Sequence, residues 1–123
     1  MPKRKIIPHK DRSIIGLTEK VTVMGVEKKR KIIARIDTGA DICSMDINLA
    51  KRLNLGPVEK MKKIKSAHGI KKRPVVRGRI EIAKRKFSKV RFTLADRKHL
   101  KYKMLIGKNI LRKGFLIDPN KQI

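Results

Sequence analysis

The segment that decides the fold of this chain reads Ala34-Arg35-Ile36-Asp37-Thr38-Gly39-Ala40-Asp41. An apolar strand there delivers a carboxylate directly into a tight turn. The glycine lets the backbone pass close beside that carboxylate, because it has no Cβ. Asp and Gly are also common in plain turns after strands, so this segment alone leaves a structural turn open as the alternative to a catalytic Asp37.

Two later segments give the Asp37 turn a context. A glycine-bearing turn, Ser66-Ala67-His68-Gly69, lies between two strand candidates, and Leu105-Ile106-Gly107-Lys108-Asn109-Ile110-Leu111 places two aliphatic residues before a glycine and a short helix. Together these segments resemble the retropepsin-like aspartic proteases, which combine apolar-apolar-Asp-Thr-Gly-Ala, a glycine-bearing flap and a late apolar-apolar-Gly-Arg-Asn. The resemblance extends over residues 14–119.

Within that family, the chain is similar to one branch in particular. The Asp37 turn, the late loop and the ending Phe115-Leu116-Ile117-Asp118-Pro119 look like a branch labelled "ATP-dependent zinc protease". Members of this branch are associated with ribosomal-protein glutamate ligases of the RimK type. The association implies an acidic substrate, such as a ribosomal protein whose tail is extended by glutamates.

The resemblance implies an all-β fold, a closed retropepsin-like barrel with one or two short helices, that forms a two-fold homodimer. It also implies an aspartic endopeptidase, a hydrolase that activates a water between two Asp37 carboxylates. The chain offers one Asp-Thr-Gly, so the second carboxylate must come from a second copy. Two close carboxylates share one proton; one of them accepts a proton from water and the other donates to the peptide carbonyl.

The resemblance assigns supporting roles around Asp37. Thr38 locks the two paired loops to each other, Gly39 and Ala40 complete the turn, and Asp41 is a structural loop residue. In the late loop of Gly107, Lys108 and Asn109, this chain departs from the family, because lysine replaces the arginine that pairs with the second aspartate. Lysine cannot make the two-pronged contact of arginine, so the brace to Asp41 is weaker unless other groups supply it.

The flap turn carries His68 and Gly69 and is followed by a basic stretch. His68 could face a substrate, although an exposed turn histidine is the simpler interpretation. A cationic cleft raises the local concentration of an anionic substrate. We therefore expect the cations that flank the flap to bind an acidic peptide: Lys71, Lys72, Arg73 and Arg77.

The charge of the chain supports a polyanionic partner. Lysine and arginine number 35 against 10 aspartates and glutamates, a formal net charge of +25. Such a charge suits an acidic protein or nucleic acid, and a lysine-rich proteome or a high-salt cytoplasm is the plain alternative. The second functional hypothesis is therefore a basic ribosome- or RNA-associated binding protein that keeps the fold without catalysis. Few aromatic residues are interleaved with the cations, which argues against recognition of single strands by stacking.

The sequence predicts no metal site and no cofactor, despite the label of the branch. His9, His68 and His99 lie far apart, Cys43 is the lone cysteine, and the usual zinc motifs and a Walker-type phosphate loop are missing. A lone cysteine also excludes an intramolecular disulfide. No apolar run approaches the roughly 18–20 residues that span a bilayer, so we expect a soluble, cytoplasmic protein with no membrane partner.

The short apolar runs predict seven or eight strands in a sandwich or barrel, with one or two short helices. Residues 1–12 read as a basic N-terminal arm and residues 13–123 as one domain. Asp46 looks like the N-cap of a helix over 47–53. The apolar runs from which these strands are predicted lie at 14–17, 21–26, 31–36, 42–45, 61–67, 75–82, 86–94, 104–106 and 115–117.

Overall fold

The computed structural model describes residues 4–123, apart from the side chain of residue 66; the start of the predicted arm, residues 1–3, lies outside them. The described chain contains a 3-10 turn at His9–Asp11, nine strands and two short helices. These are β1 (Ser13–Ile15), β2 (Thr18–Met24), β3 (Lys29–Ile36), β4 (Cys43–Asp46), α1 (Ile47–Arg52), β5 (Lys60–Ser66), β6 (Gly69–Ile82), β7 (Arg85–Ala95), β8 (Met104–Ile106), α2 (Lys108–Leu111) and β9 (Phe115–Ile117).

Six of the strands close into a barrel. They follow the order β2-β3-β8-β4-β7-β6, and a further pairing of β2 with β6 completes the ring. Strand β5 extends β6 outside the ring as a hairpin, and β1 pairs in parallel with β9 in a separate two-stranded sheet. The fold is therefore all-β. Of the two architectures that the strand spacing allowed, a sandwich and a barrel, the structure shows the closed barrel.

The core follows from alternation along the strands. In β2, Val21 and Val23 are fully buried, while Lys20 is exposed and Thr22 is half-buried, because successive side chains point to opposite faces. The interior is mainly aliphatic, with Phe92 as its largest fully buried side chain. The few aromatic residues of the sequence leave Ile, Val, Leu and Met to fill the barrel.

Strand β6 begins six residues earlier than the sequence pattern indicates. We predicted a strand from Val75, but the strand starts at Gly69 and includes the basic stretch Lys71–Arg73. This half of β6 pairs only with β5, and most of its side chains are exposed. Neither face of the hairpin is buried in a core, so hydrophobic alternation gave no signal there.

The two helices are short. Helix α1 begins directly after Asp46, as predicted, and α2 follows Gly107. Among residues 4–123, neither of them has the length or the apolar composition of a membrane-spanning helix.

Candidate active site

Strand β3 carries Asp37 to the wall of the barrel. Ile36, the last residue of β3, pairs with Ile106 of β8, and the Asp37 N–H donates to the Ile106 carbonyl at 2.9 Å. The Asp37 carboxylate accepts a hydrogen bond from the Gly39 N–H at 2.9 Å. A Cβ at Gly39 would lie 3.2 Å from that carboxylate oxygen, so the turn holds the carboxylate most easily with glycine.

The late loop lies against the Asp37 turn through its backbone. The Lys108 N–H donates to the Ala40 carbonyl at 2.8 Å, and the Asn109 N–H donates to the Asp41 carbonyl at 3.2 Å. A Cβ at Gly107 would lie 2.8 Å from the Ala40 oxygen, closer than backbone atoms allow. Glycine at this position therefore lets the two loops touch.

The Asn109 side chain completes this junction. Its Oδ1 accepts from the Cys43 N–H at 3.0 Å and from the Cys43 thiol at 3.2 Å, and its Nδ2 donates to the Arg91 carbonyl at 3.1 Å. Burial raises the pKa of Cys43 to about 12, although a hydrogen bond from the Gly107 N–H acts in the opposite direction. The thiol therefore stays neutral and serves as a buried hydrogen-bond donor.

The predicted pairing of Lys108 with Asp41 is present as a single contact. Lys108 Nζ lies 3.3 Å from Asp41 Oδ1, and the Asp41 side chain is 74% exposed. Exposed ion pairs of this kind contribute little to stability. The loops are therefore joined mainly by Gly107, Asn109 and the backbone. These are the other groups that support the Asp41 loop, where lysine replaces the arginine of the family.

A groove of about 530 Å³ lies beside Asp37. Asp37 and Thr38 form part of its wall together with Arg35, and the loop of residues 96–103 contributes most of the remainder. This loop supplies Arg97, Leu100, Lys101 and Tyr102. Sequence reasoning missed it, because a run of basic residues stands out little in a chain with 35 lysines and arginines.

Arg97 is the half-buried cation of this groove. The backbone N–H of Arg97 donates to Asp46 Oδ1 at 2.7 Å, and its side-chain Nε donates to the Tyr102 carbonyl at 3.0 Å. Burial lowers the pKa of Arg97 and the charge of Arg73 lowers it further, while Asp37 and Asp46 act in the opposite direction. Asp46 thus stands at the N-cap position of α1 but forms no side-chain cap, because its carboxylate binds the 96–103 loop.

The predicted flap residues lie at the tip of the β5–β6 hairpin, where Ala67 and His68 form the turn and Gly69 has a φ of +110°. The four proposed substrate cations are not brought together. Lys71 and Lys72 are exposed on the hairpin and Arg73 is half-buried near Arg97. Arg77 instead lines a second groove and binds Glu59 at 2.7 Å.

Glu59 also binds Arg91, at 3.1 Å. Arg77 and Arg91 stand directly opposite each other on β6 and β7, so Glu59 neutralises two facing cations. Hydrogen bonds from Arg77 and then Arg91 lower the pKa of Glu59 to about 2. As for metals, residues 4–123 contain no group of three or more His, Cys, Asp and Glu side chains that could hold an ion.

Comparison with known proteins gives a family match and several matching folds. The family model described as RimB-like, retropepsin-like aspartic endopeptidase RimB, matches residues 46–123. This range contains the flap hairpin, the 96–103 loop and the late loop, and it begins after the Asp37 turn. No curated protein sequence matches the chain.

Three solved structures show the same fold. Protein Lpg0085 of Legionella pneumophila, of unknown function, is 21% identical with a TM-score of 0.64, over 90% of this chain and 96% of its own. EIAV protease complexed with the inhibitor HBY-793 is 21% identical with a TM-score of 0.62, over 78% and 85%. Simian foamy virus (mac) protease is 18% identical with a TM-score of 0.54, over 76% and 90%. At these identities the likeness shows the fold alone, and it confirms the predicted retropepsin-like barrel.

Proposed function

Because the chain belongs to the RimB-like family of retropepsin-like aspartic endopeptidases, we propose that it hydrolyses peptide bonds with a water activated between two Asp37 carboxylates. The observation that carries the proposal is the Asp37 turn. Its carboxylate lies in the wall of a groove and is held by the Gly39 N–H, while the late loop braces the turn from behind. A plain surface turn has no need of a brace of this kind.

The chemistry follows from two carboxylates that share one proton. The ionised Asp37 takes a proton from water, and the oxygen of that water attacks the peptide carbonyl carbon. The protonated Asp37 of the second copy donates its proton to the carbonyl oxygen, which gives a neutral tetrahedral intermediate. Collapse of that intermediate breaks the C–N bond, and a proton passes to the leaving amine.

The proposal requires a homodimer, since each copy contributes a single Asp-Thr-Gly. A two-fold axis beside Asp37 would bring the two carboxylates together, with Thr38 next to the axis. Two chains of +25 repel each other, so the dimer should tighten as salt rises if its interface is mainly apolar. Sedimentation that shows only monomer at concentrations where peptide is cleaved would contradict this part of the proposal.

An acidic substrate is supported by the charge around the groove. Arg35, Arg97 and Lys101 line it beside Asp37, and Lys71, Lys72 and Arg73 of the hairpin are further candidates to bind the same substrate. A cationic cleft speeds encounter with an anionic chain and raises its local concentration. A glutamate-extended protein tail, including that of a ribosomal protein, has the required charge.

The second candidate is RNA or ribosome binding without catalysis, and the second groove favours it. This groove has a volume of about 600 Å³ and contains several cations: Arg77, Lys86, Lys89, Arg91 and Lys113. Arginine and lysine bind phosphate oxygens without regard to base sequence. Glu59 occupies two of these cations, which leaves the lysines for a phosphate backbone.

One pair of measurements separates the two functions. We would compare the unmodified protein with Asp37→Asn for cleavage of a glutamate-tailed peptide and for retention of RNA across a salt series. A peptidase predicts that cleavage falls by at least about 100-fold, the scale of general acid–base catalysis, while RNA retention is unchanged. No cleavage by the unmodified protein, together with tight and salt-sensitive RNA binding, would favour the second candidate.

A further inference from the structure

The 96–103 loop is held beside Asp37 by hydrogen bonds to a buried aspartate. Asp46 is 5% exposed, and its Oδ1 accepts from the Arg97 N–H at 2.7 Å while its own N–H donates to the Lys103 carbonyl at 2.8 Å. The Arg97 carbonyl accepts in turn from Lys103 Nζ at 3.1 Å and from the Leu100 N–H at 3.0 Å. These bonds use the backbone of Arg97, so the loop is fixed whatever its side chain does.

The guanidinium of Arg97 is only partly used. Its Nε donates to the Tyr102 carbonyl, which fixes the plane of the group. Within residues 4–123, neither terminal nitrogen has a hydrogen-bond acceptor, and no carboxylate lies within ion-pair distance of them. A half-buried guanidinium loses hydration, and a planar fork of N–H groups is matched best by a carboxylate bound through two parallel hydrogen bonds.

In the second groove, by contrast, two arginines are paired with a carboxylate of the chain. Glu59 lies 2.7 Å from Arg77 and 3.1 Å from Arg91, so the chain itself supplies the anion. Among residues 4–123, no carboxylate lies within ion-pair distance of Arg97; Asp37 and Asp46 act on its charge only from longer range, and the neighbouring Arg73 adds a second positive charge. The position therefore favours an anion that arrives from outside the chain.

We propose that Arg97 is a specificity-determining residue of the groove, where its two terminal nitrogens bind the carboxylate of an acidic substrate side chain near the scissile bond. This inference rests on the proposed peptidase function and adds the group that recognises the acidic side chain of the substrate. Arg35 and Lys101 lie in the same groove but are exposed, so they attract an acidic chain without fixing its position. The simpler alternative is that Arg97 only stabilises its loop through Tyr102.

The test uses the full chain and two labelled peptides of equal length that differ only in a glutamate tail or a glutamine tail. We would compare Arg97→Gln, Arg97→Lys and a control, Arg112→Gln, which removes an equal charge from an exposed site at the end of α2. For the unmodified protein and the control we expect the same preference for the glutamate peptide. Arg97→Gln should lower the ratio of kcat/KM, glutamate over glutamine, by about 10- to 100-fold, the scale of a charge-assisted hydrogen-bonded pair.

The pattern of the loss distinguishes binding from loop stability. Most of the change should lie in KM, and Arg97→Lys should recover only part of the preference although it keeps the charge, because lysine lacks the fork. If Arg97 merely stabilises the loop, the two peptides should lose activity equally and their ratio should not move. That result would overturn the inference and leave the proposed peptidase standing.

A binding measurement keeps the inference testable apart from turnover. In the Asp37→Asn background, fluorescence anisotropy reports the affinity for each peptide without cleavage. Adding Arg97→Gln should weaken binding of the glutamate peptide by about 10-fold or more, and adding Arg112→Gln should weaken it far less. Equal weakening by both would mean that the total charge, and not Arg97, attracts the peptide. Loss of the proposed function would appear separately, as no cleavage by the unmodified protein.

Discussion

Two junctions join segments that are distant in the sequence, and they are built from different interactions. The junction behind Asp37 uses the close approach of Gly107, the amide of Asn109 and backbone hydrogen bonds. The junction around Glu59 uses one exposed carboxylate between Arg77 and Arg91. In a chain of +25, we expect the Glu59 junction to depend on pH and salt, and the junction behind Asp37, whose one ion pair is the exposed Lys108–Asp41 contact, to depend on them far less. The candidate catalytic turn is thus held by the junction that solution conditions affect least.

The largest effect is expected from Gly107→Ala. The new Cβ would lie 2.8 Å from the Ala40 oxygen and 2.8 Å from the Ile42 carbonyl carbon, and these backbone atoms cannot rotate away. We expect the free energy of unfolding to fall by about 3 kcal/mol, the upper range for overpacking. Chemical denaturation at low and high salt should give the same loss.

Gly78→Ala is the matched control, because its Cβ would meet Leu55 and Phe92 side-chain atoms at 3.1 and 3.4 Å, and these can shift. Its loss of stability should be clearly smaller. Equal losses in the two variants would mean that the close approach of the loops at Gly107 has no special role.

The second effect comes from Asn109→Ala. This change leaves the N–H of Cys43 without its acceptor inside the junction, and an unpaired buried donor costs about 1–3 kcal/mol. We expect a loss of about 2 kcal/mol in the free energy of unfolding that does not depend on salt. The exposed Asn120→Ala is the control and should change little. A loss that vanishes at high salt would show that this junction is electrostatic after all.

The smallest effect is expected from Glu59→Gln, and it should depend on pH. The pKa of Glu59 is lowered to about 2, so its stabilising contribution is complete above the ordinary value near 4.5 and is lost as pH falls toward 2. The melting temperature of Glu59→Gln should lie below that of the unmodified protein at neutral pH, by a small margin. The gap should close as pH falls through this window.

The difference in melting temperature should also shrink as salt is added at neutral pH, because Arg77 and Arg91, the two partners of Glu59, are exposed to solvent and screened by salt. Glu27→Gln, in the turn between β2 and β3, provides a control with an exposed glutamate. A difference that stays constant from neutral pH to pH of about 2 would contradict the role given to Glu59.

The sequence predicted those parts that local pattern determines. The short apolar runs located β2, β3 and β7, and the Asp-Thr-Gly and late-loop segments led to the junction behind Asp37. The start of β6 was missed because an exposed hairpin has no buried face to set a period. Asp46 was correctly placed at a helix start, yet its carboxylate binds a loop that lies 51 residues later in the chain.

The sequence also could not show which cations near the site are already paired with a carboxylate of the chain. Arg77 follows the flap and looked available to a substrate, but it is bound by Glu59, which lies 18 residues away in the sequence. Arg97 looked like one cation among 35, and only the fold brings its loop beside Asp37. Which charges are already paired depends on contacts between strands, and these leave no trace in the local composition.

The long strand β6 runs through two environments, and this gives it a gradient of local stability. Its 14 residues begin in the exposed hairpin and end in the barrel, where Val76, Ile80 and Ile82 are buried between β7 and β2. Regions with few buried contacts open with low free energy, whereas core strands open only with the whole domain. Amide hydrogen exchange along this one strand should therefore pass from fast at Lys71 and Lys72 to the global unfolding limit near Ile80. The exposed end of β6 should therefore open without opening the end that lies in the barrel wall.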